Sequence, residues 1–149
     1  MFASPPNASK APTSIPSPEI REEITARLSE LVEAIEAHPA WTPPSPPRNL
    51  FHVWDFVKRS HYIMTELDNI SNNRPTKHPD QIPPNDGATG PRAAALSFHD
   101  VCTRSFTVIE MIKNPRMLVM LGLSNIDFGD DIRQRSHALS EAIINSDKS

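Results

Sequence analysis

The sequence predicts an all-α fold: an antiparallel bundle of four main helices plus one short helix, with Pro-rich connectors and a disordered N-terminal tail. Three observations predict it. All 16 prolines avoid the apolar-periodic segments, with five in residues 1–18, five in 39–47, five in 75–91, and the last at Pro115. Proline has no N–H and clashes with the preceding turn, so it is expelled from helix interiors and the stretches between clusters are free to coil. Within those stretches apolar residues return every three or four positions, the period of a helix. Glycine occurs only four times in 149 residues, too rarely for a β-rich fold with many tight turns.

Residues 1–17 hold Pro, Ser, Ala and Asn with two isolated apolar residues, Phe2 and Ile15. So little burial does not offset the entropy of ordering, and a disordered tail is expected. Ser17-Pro18-Glu19 reads as an N-cap, an N1 proline and a first-turn acid, a helix start. The first helix carries Ile20, Ile24, Leu28, Leu31 and Ile35 as one narrow stripe, pairs Glu23 with Arg27, and stops at His38 before Pro39. Residues 39–47, Pro-Ala-Trp-Thr-Pro-Pro-Ser-Pro-Pro, are expected to form a stiff, extended connector of polyproline character.

The second helix opens at Arg48 or Asn49 and runs to about Asn72. Leu50, Phe51, Val53, Trp54, Phe56, Val57, Tyr62, Ile63, Met64, Leu67 and Ile70 cover more than one of its faces, which predicts a central helix with two neighbours. An Asp55–Arg59 pair is expected at i,i+4. Residues 75–91, with Pro-Pro, Asn-Asp-Gly and Thr-Gly-Pro, read as a long loop. The third helix spans Arg92 to Lys113, its buried face being Ala94, Phe98, Val101, Ser105, Val108 or Ile109, and Ile112. Asn114-Pro115 looks like a cap and N1 proline for a short apolar turn, Met117 to Leu121, closed by Gly122. A loop over 124–129 leads to a last helix with Ile132, Ser136, Leu139 and Ile143 on one side. The domain is thus expected over 18–146, with a tail at 147–149.

Net charge is −3 and the sequence pI about 6.0, so no basic field draws in nucleic acid or an anionic membrane. Residues 17–38 hold six Glu against two Arg, whereas 92–126 hold four bases against two acids. That asymmetry would set the acidic first and last helices beside a mildly basic third. Cys102 is the only cysteine and forms no intrachain disulfide, in keeping with a reducing compartment. Residues 1–18 lack the apolar core of a secretory signal, and no run is apolar enough for a membrane helix. An intracellular protein, cytoplasmic or nuclear, is expected.

Catalytic or metal chemistry would have to use the six histidines, at 38, 52, 61, 78, 99 and 137. A bundle dimetal site wants Glu-x-x-His pairs and a zinc site on one helix wants His-x-x-x-His; neither pattern occurs. No cofactor is expected. His99 and Cys102, three apart on the third helix, are the most suggestive pair, since an imidazole beside a thiol generates a thiolate. Against that, a small core cysteine beside Val101 and an edge histidine beside Asp100 explain the same residues. His61 lies among Trp54, Val57 and Met64, where a hydrogen-bonded rim histidine is the plain alternative to a ligand. His137 and Glu141 share a face with Arg133 and read as solvated surface.

One short motif has a binding mechanism. Pro43-Pro44-Ser45-Pro46-Pro47-Arg48 reads P-x-x-P-x-R, which in polyproline II geometry aligns Pro43 and Pro46 and frees Arg48 for an acidic pocket. A rigid linker between two helices is the competing explanation.

Two short runs resemble known families. Phe98-His99-Asp100-Val101-Cys102, continuing apolar to Ile112, resembles a helix in the C-terminal region of aflatoxin-pathway regulators, fungal proteins with a separate zinc-cluster DNA-binding domain. With one cysteine there is no such cluster, so that resemblance implies at most a helical regulatory fragment. Val53-Trp54-Asp55-Phe56 following His38-Pro39 resembles a stretch of haem-oxygenase-like helical oxygenases, whose carboxylate–histidine ligand set is missing here. No functional residue is carried over from either.

The expectation from sequence is therefore a non-enzymatic helical interaction or regulatory module. It binds a protein partner through a helix face or the connector, with Pro43, Pro46 and Arg48 as contacts. The alternative is a helical enzyme or cofactor binder with an interhelical pocket of His61, His99 and Cys102. Neither partner identity nor oligomeric state follows from the sequence.

Overall fold

Helices form where the chain is apolar-periodic and proline is absent or confined to the first turn: α1 (Pro18–Glu36), α2 (Arg48–Ser71), α3 (Gly90–Lys113), α4 (Arg116–Met120) and α5 (Asp130–Ser146). The structure is a computed structural model that describes residues 15–77, 90–123 and 127–146. Most of the tail expected over 1–17, most of the loop expected over 75–91, and the tail at 147–149 lie outside the described residues. Of the tail, Ile15 is half-buried against the core, and the Pro16 carbonyl accepts from the Arg21 guanidinium at 2.9 Å.

Side-chain pairs fix the directions. Arg21 near the start of α1 meets Asp68 near the end of α2, and Trp54 near the start of α2 donates to Glu36 at the end of α1. Arg135 of α5 reaches back to Glu30 of α1, and Asp127, just ahead of α5, meets His38, just past α1. α3 returns along α2 from Gly90, which lies beside Ser71 and Asn73. Each long helix thus runs antiparallel to its neighbours in a closed ring, α1–α2–α3–α5. The mildly basic α3 adjoins α5 as expected, but α1 lies diagonally across from it.

The stripe on α1 is the stripe the periodicity marks: Ile24, Leu28, Leu31 and Ile35 are fully buried, with Ile20 half-buried at the open end. They meet Leu50, Val53, Ile63 and Leu67 of α2, Ala94, Val101 and Val108 of α3, and Leu139 and Ile143 of α5 in one core. α2 touches both α1 and α3, as a helix apolar on several sides should.

Local details depart from the sequence reading for identifiable reasons. α1 ends at Glu36, two residues early, because His38 turns away. Its Nδ1 accepts from the Ala40 N–H at 3.0 Å, which leaves Nε2–H to donate to the Asp127 carbonyl at 2.9 Å. Ser17 is the N-cap of α1, yet its hydroxyl makes no capping bond; Pro18 instead presets the first turn. α3 starts two residues sooner than expected, since Gly90 adopts φ +64° and Pro91 fits the first turn. At α4 the N-cap is Pro115, with no side-chain capping bond from Asn114. Its other end is as expected: Gly122 at φ +82° lets its own N–H reach the Val119 carbonyl and the Leu123 N–H reach the Leu118 carbonyl, a Schellman closure. The expected Asp55–Arg59 pair is not formed among the described residues. Asp55 stays exposed while the Arg59 Nε is buried without a partner.

Glu66 is the only charged side chain in the buried set of described residues, 2% exposed. Its carboxylate accepts from the Asn69 amide at 2.8 Å and from the Lys77 backbone N–H. Asn69 in turn accepts from Arg74 through both its side chain and its backbone carbonyl. These bonds fold the segment after α2 back onto the helix.

Two outcomes check this account. Leu28→Ala or Leu31→Ala should each lower the unfolding free energy by about 2–5 kcal/mol in denaturant titrations, the cost of a cavity in a closed core. Glu66→Ala should cost about 1–3 kcal/mol, because it removes the buried acceptor that ties the partly buried Asn69 amide and the Lys77 N–H to α2; a thermal midpoint equal to wild type would contradict the role given to that carboxylate.

Candidate functional site

Where α1 hands over to α2, the chain does not form a polyproline rod. Trp41 N–H bonds the His38 carbonyl at 2.9 Å and Ser45 N–H bonds the Thr42 carbonyl at 3.1 Å, closing two successive turns. Polyproline II has no internal hydrogen bonds, so the expected extended connector is replaced by a folded corner. The cause is a side chain the local pattern does not place: Trp41 turns in and stacks on Trp54, centroids 5.5 Å apart. Pro43 is exposed, Pro46 half-buried, and Arg48 is the exposed first residue of α2. The three motif residues are thus neighbours on the corner, without the straight register that the P-x-x-P-x-R reading requires.

An aromatic row continues from the corner along α2. Phe51 packs on Trp54 at 5.6 Å, and the Lys58 ammonium lies over both the Trp54 ring (6.0 Å) and the Tyr62 ring (5.7 Å). Residues 51, 54, 58 and 62 step by three, four and four, so they share a face. Trp54 is held by its indole N–H donating to Glu36 at 2.8 Å. Phe51 remains 46% exposed. The expectation of apolar residues on several faces of α2 covers these rings; Trp54 is half-buried against the core, whereas Phe51 faces outward, offset from the buried Leu50, Val53, Val57 and Ile63. A second cluster faces α3, where His52 stacks on Phe56 at 4.9 Å and Arg104 lies 5.1 Å over the same ring.

Below the row, α1 and α2 part to leave an open groove of about 470 Å³, lined by Pro18, Arg21, Glu22, Thr25, Ala26, Ser29, His61, Met64 and Asp68. It forms because α1 presents only short side chains, at Thr25, Ala26 and Ser29, opposite His61. Arg21 closes its lower end by pairing with Asp68 at 2.8 Å. Half-burial and the nearby Lys58 ammonium push the His61 imidazole below its ordinary value, burial being the larger cause.

The groove holds neither His99 nor Cys102. His99 is exposed on α3, while Cys102 is half-buried and packs against the core. The interhelical His/Cys pocket of the alternative reading is therefore not assembled around His61. Ser60, next to His61, donates its hydroxyl to the Phe56 carbonyl at 3.0 Å. His137 and Glu141 are an exposed surface pair at 3.3 Å. Among the described residues no three His, Cys, Asp or Glu side chains gather to hold a metal ion, and no helix is long and apolar enough to cross a membrane.

No protein-family model, no curated protein and no solved structure matches the chain.

The position of His61 makes stability depend on pH with a definite sign. The unfolded chain titrates this group near the ordinary 6.5 and the folded chain lower, so between the two values the unfolded state binds more protons. The His61 contribution is fully present above 6.5 and is lost as pH falls toward the folded value. His61→Gln should flatten the decline of thermal midpoint below pH 6.5; an unchanged slope would place its origin elsewhere.

Proposed function

We propose that the chain is a non-enzymatic helical interaction module whose protein partner docks on the corner between α1 and α2. The observation that carries this reading is the solvent-facing Phe51, stacked on the Trp54–Trp41 pair and bordered by exposed Pro43, Pro44 and Arg48. Aromatic and arginine side chains dominate binding energy at interfaces, and rings already fixed by stacking lose little entropy on docking. The indole bond to Glu36 and the two connector turns supply that fixing. A net charge of −3 favours a protein over a nucleic acid as partner, and the single cysteine suits an intracellular setting. A helical enzyme using His61, His99 and Cys102 has less support, since the groove at His61 includes neither of the others.

Affinity capture with the tagged chain, read by quantitative mass spectrometry, tests the proposal. Phe51→Ser and Arg48→Ala should each lower recovery of the specific partner at least tenfold. Arg48→Ala should leave the thermal midpoint within about 2 °C of wild type, as for a surface change that costs under half a kcal/mol, and Phe51→Ser should stay folded at a cost of about 0.5–1.5 kcal/mol for the lost ring contact with Trp54. Undiminished recovery by both variants would refute the corner as the docking surface.

A further inference from the structure

The α1–α2 groove is a second surface, and its chemistry specifies an occupant. On α1 the residues Glu19, Glu22, Ala26, Ser29 and Glu33 step by three, four, three and four, so they form one outward stripe beside the groove. Its centre is short-chained and its ends are acidic. All three glutamates are exposed, and none forms an ion pair among the described residues. Other acids of α1 are already engaged: Glu23 and Glu30 pair with Arg27, and Glu36 accepts from Trp54. Arg21 and Asp68 neutralise each other at the lower end, and Lys58, over its aromatic rings, is the cation one turn above His61. The rim is thus net acidic around a narrow floor where Pro18, Ala26 and Met64 alternate with Thr25, Ser29 and His61.

We propose that this groove receives a basic amphipathic helix of a partner protein. The proposal rests on the reading of the chain as a protein-binding module, but uses a surface distinct from the connector corner. Short side chains at Ala26 and Ser29 let a third helix approach closely, its apolar stripe lying over Met64 and the groove floor. Glu22 and Glu33 are eleven residues apart, a rise of about 16 Å at 1.5 Å per residue. A partner helix with Lys or Arg about three turns apart, flanking an apolar centre, meets both ends. A helix-in-groove contact of this kind is read by apolar anchors at i, i+3, i+4 and i+7, with charge setting orientation and specificity.

The test uses fluorescence anisotropy of labelled synthetic peptides with the full chain. One panel holds Leu/Lys amphipathic helices with lysines flanking the apolar face; a second replaces Lys by Glu; a third scrambles the first. The first panel should bind saturably and weaken with added salt, while the second and third should not bind. Glu22→Lys with Glu33→Lys should weaken binding at least tenfold, and Ala26→Trp, which fills the groove, should also abolish it. Glu110→Lys, an exposed acid on α3, should leave it unchanged, and circular-dichroism melts of each variant confirm folding. No binding by any basic amphipathic peptide, equal binding by the acidic or scrambled panels, or affinity indifferent to the double charge reversal would overturn the groove assignment. Capture that stays sensitive to Phe51→Ser in that event leaves the corner standing, so the two readings fail separately.

Discussion

α1 has a single narrow apolar stripe and two neighbours to share it with, and most of the molecule follows from that constraint. Ile24, Leu28, Leu31 and Ile35 are fully buried between α2 and α5, with Val32 and Ala34 nearly so, which leaves only the small Ala26 as an apolar side chain in the middle of the opposite face. A helix with one such stripe cannot sit at the centre of a bundle; it must take a place in a ring, with its remaining sides in water. α2, apolar on several sides, has the same number of neighbours in that ring, α1 and α3, and so carries surplus rings besides. The groove and the aromatic row arise where these two unequal helices run side by side. One contributes short and acidic side chains, the other His61, Met64 and the ladder from Phe51 to Tyr62.

The helices were legible in the sequence because proline exclusion and apolar period are local properties. The expected buried face of the third helix, from Ala94 to Ile112, is buried residue for residue. The errors fall where a distant contact decides. Whether residues 39–47 extend or turn depends on Trp41 finding Trp54, thirteen positions on and in a different element. Whether Arg59 reaches Asp55 depends on the burial of its own Nε, which no i,i+4 rule contains. The end of α1 likewise depends on His38 bonding a carbonyl 89 residues away.

The candidate site was legible in part for the same reason. Pro43, Pro46 and Arg48 are indeed close on one corner, since adjacency in sequence guarantees it, but their alignment required a backbone state that the stacking of Trp41 replaces. His99 and Cys102 illustrate the limit of helical spacing as a guide to chemistry. Three residues apart places two side chains on one side of a helix, yet the core direction cuts between them here, leaving the imidazole in solvent and the sulfur against the core. Spacing fixes angular separation; only the packing partners decide which of the two angles is buried. The exposure of Phe51 is not legible because hydrophobicity alone does not say how many sides of a helix its neighbours cover.

Why recognition would favour the α2 side of α1 over the α5 side is a question of which charges are already satisfied. Along the α1–α5 seam, Arg135 of α5 reaches Glu30 while Arg27 bridges Glu23 and Glu30, and Asp131 holds Arg135 in turn. That face is a closed ionic lattice, in which a charged newcomer would displace as much as it gained. Exposed pairs of this kind contribute little stability, about 0–1 kcal/mol each, but they cancel the field that a partner would sense. On the other flank Glu19, Glu22 and Glu33 have no such counterions among the described residues, so the negative potential extends into solvent beside the groove. An uncompensated field beside a cleft with apolar ground at Pro18, Ala26 and Met64 both steers a cationic segment and gives its apolar side somewhere to go. The same helix therefore presents a flank whose acids are paired, beside a smaller groove of about 230 Å³ lined by Ile20, Glu23 and Arg27, and a flank whose acids are not.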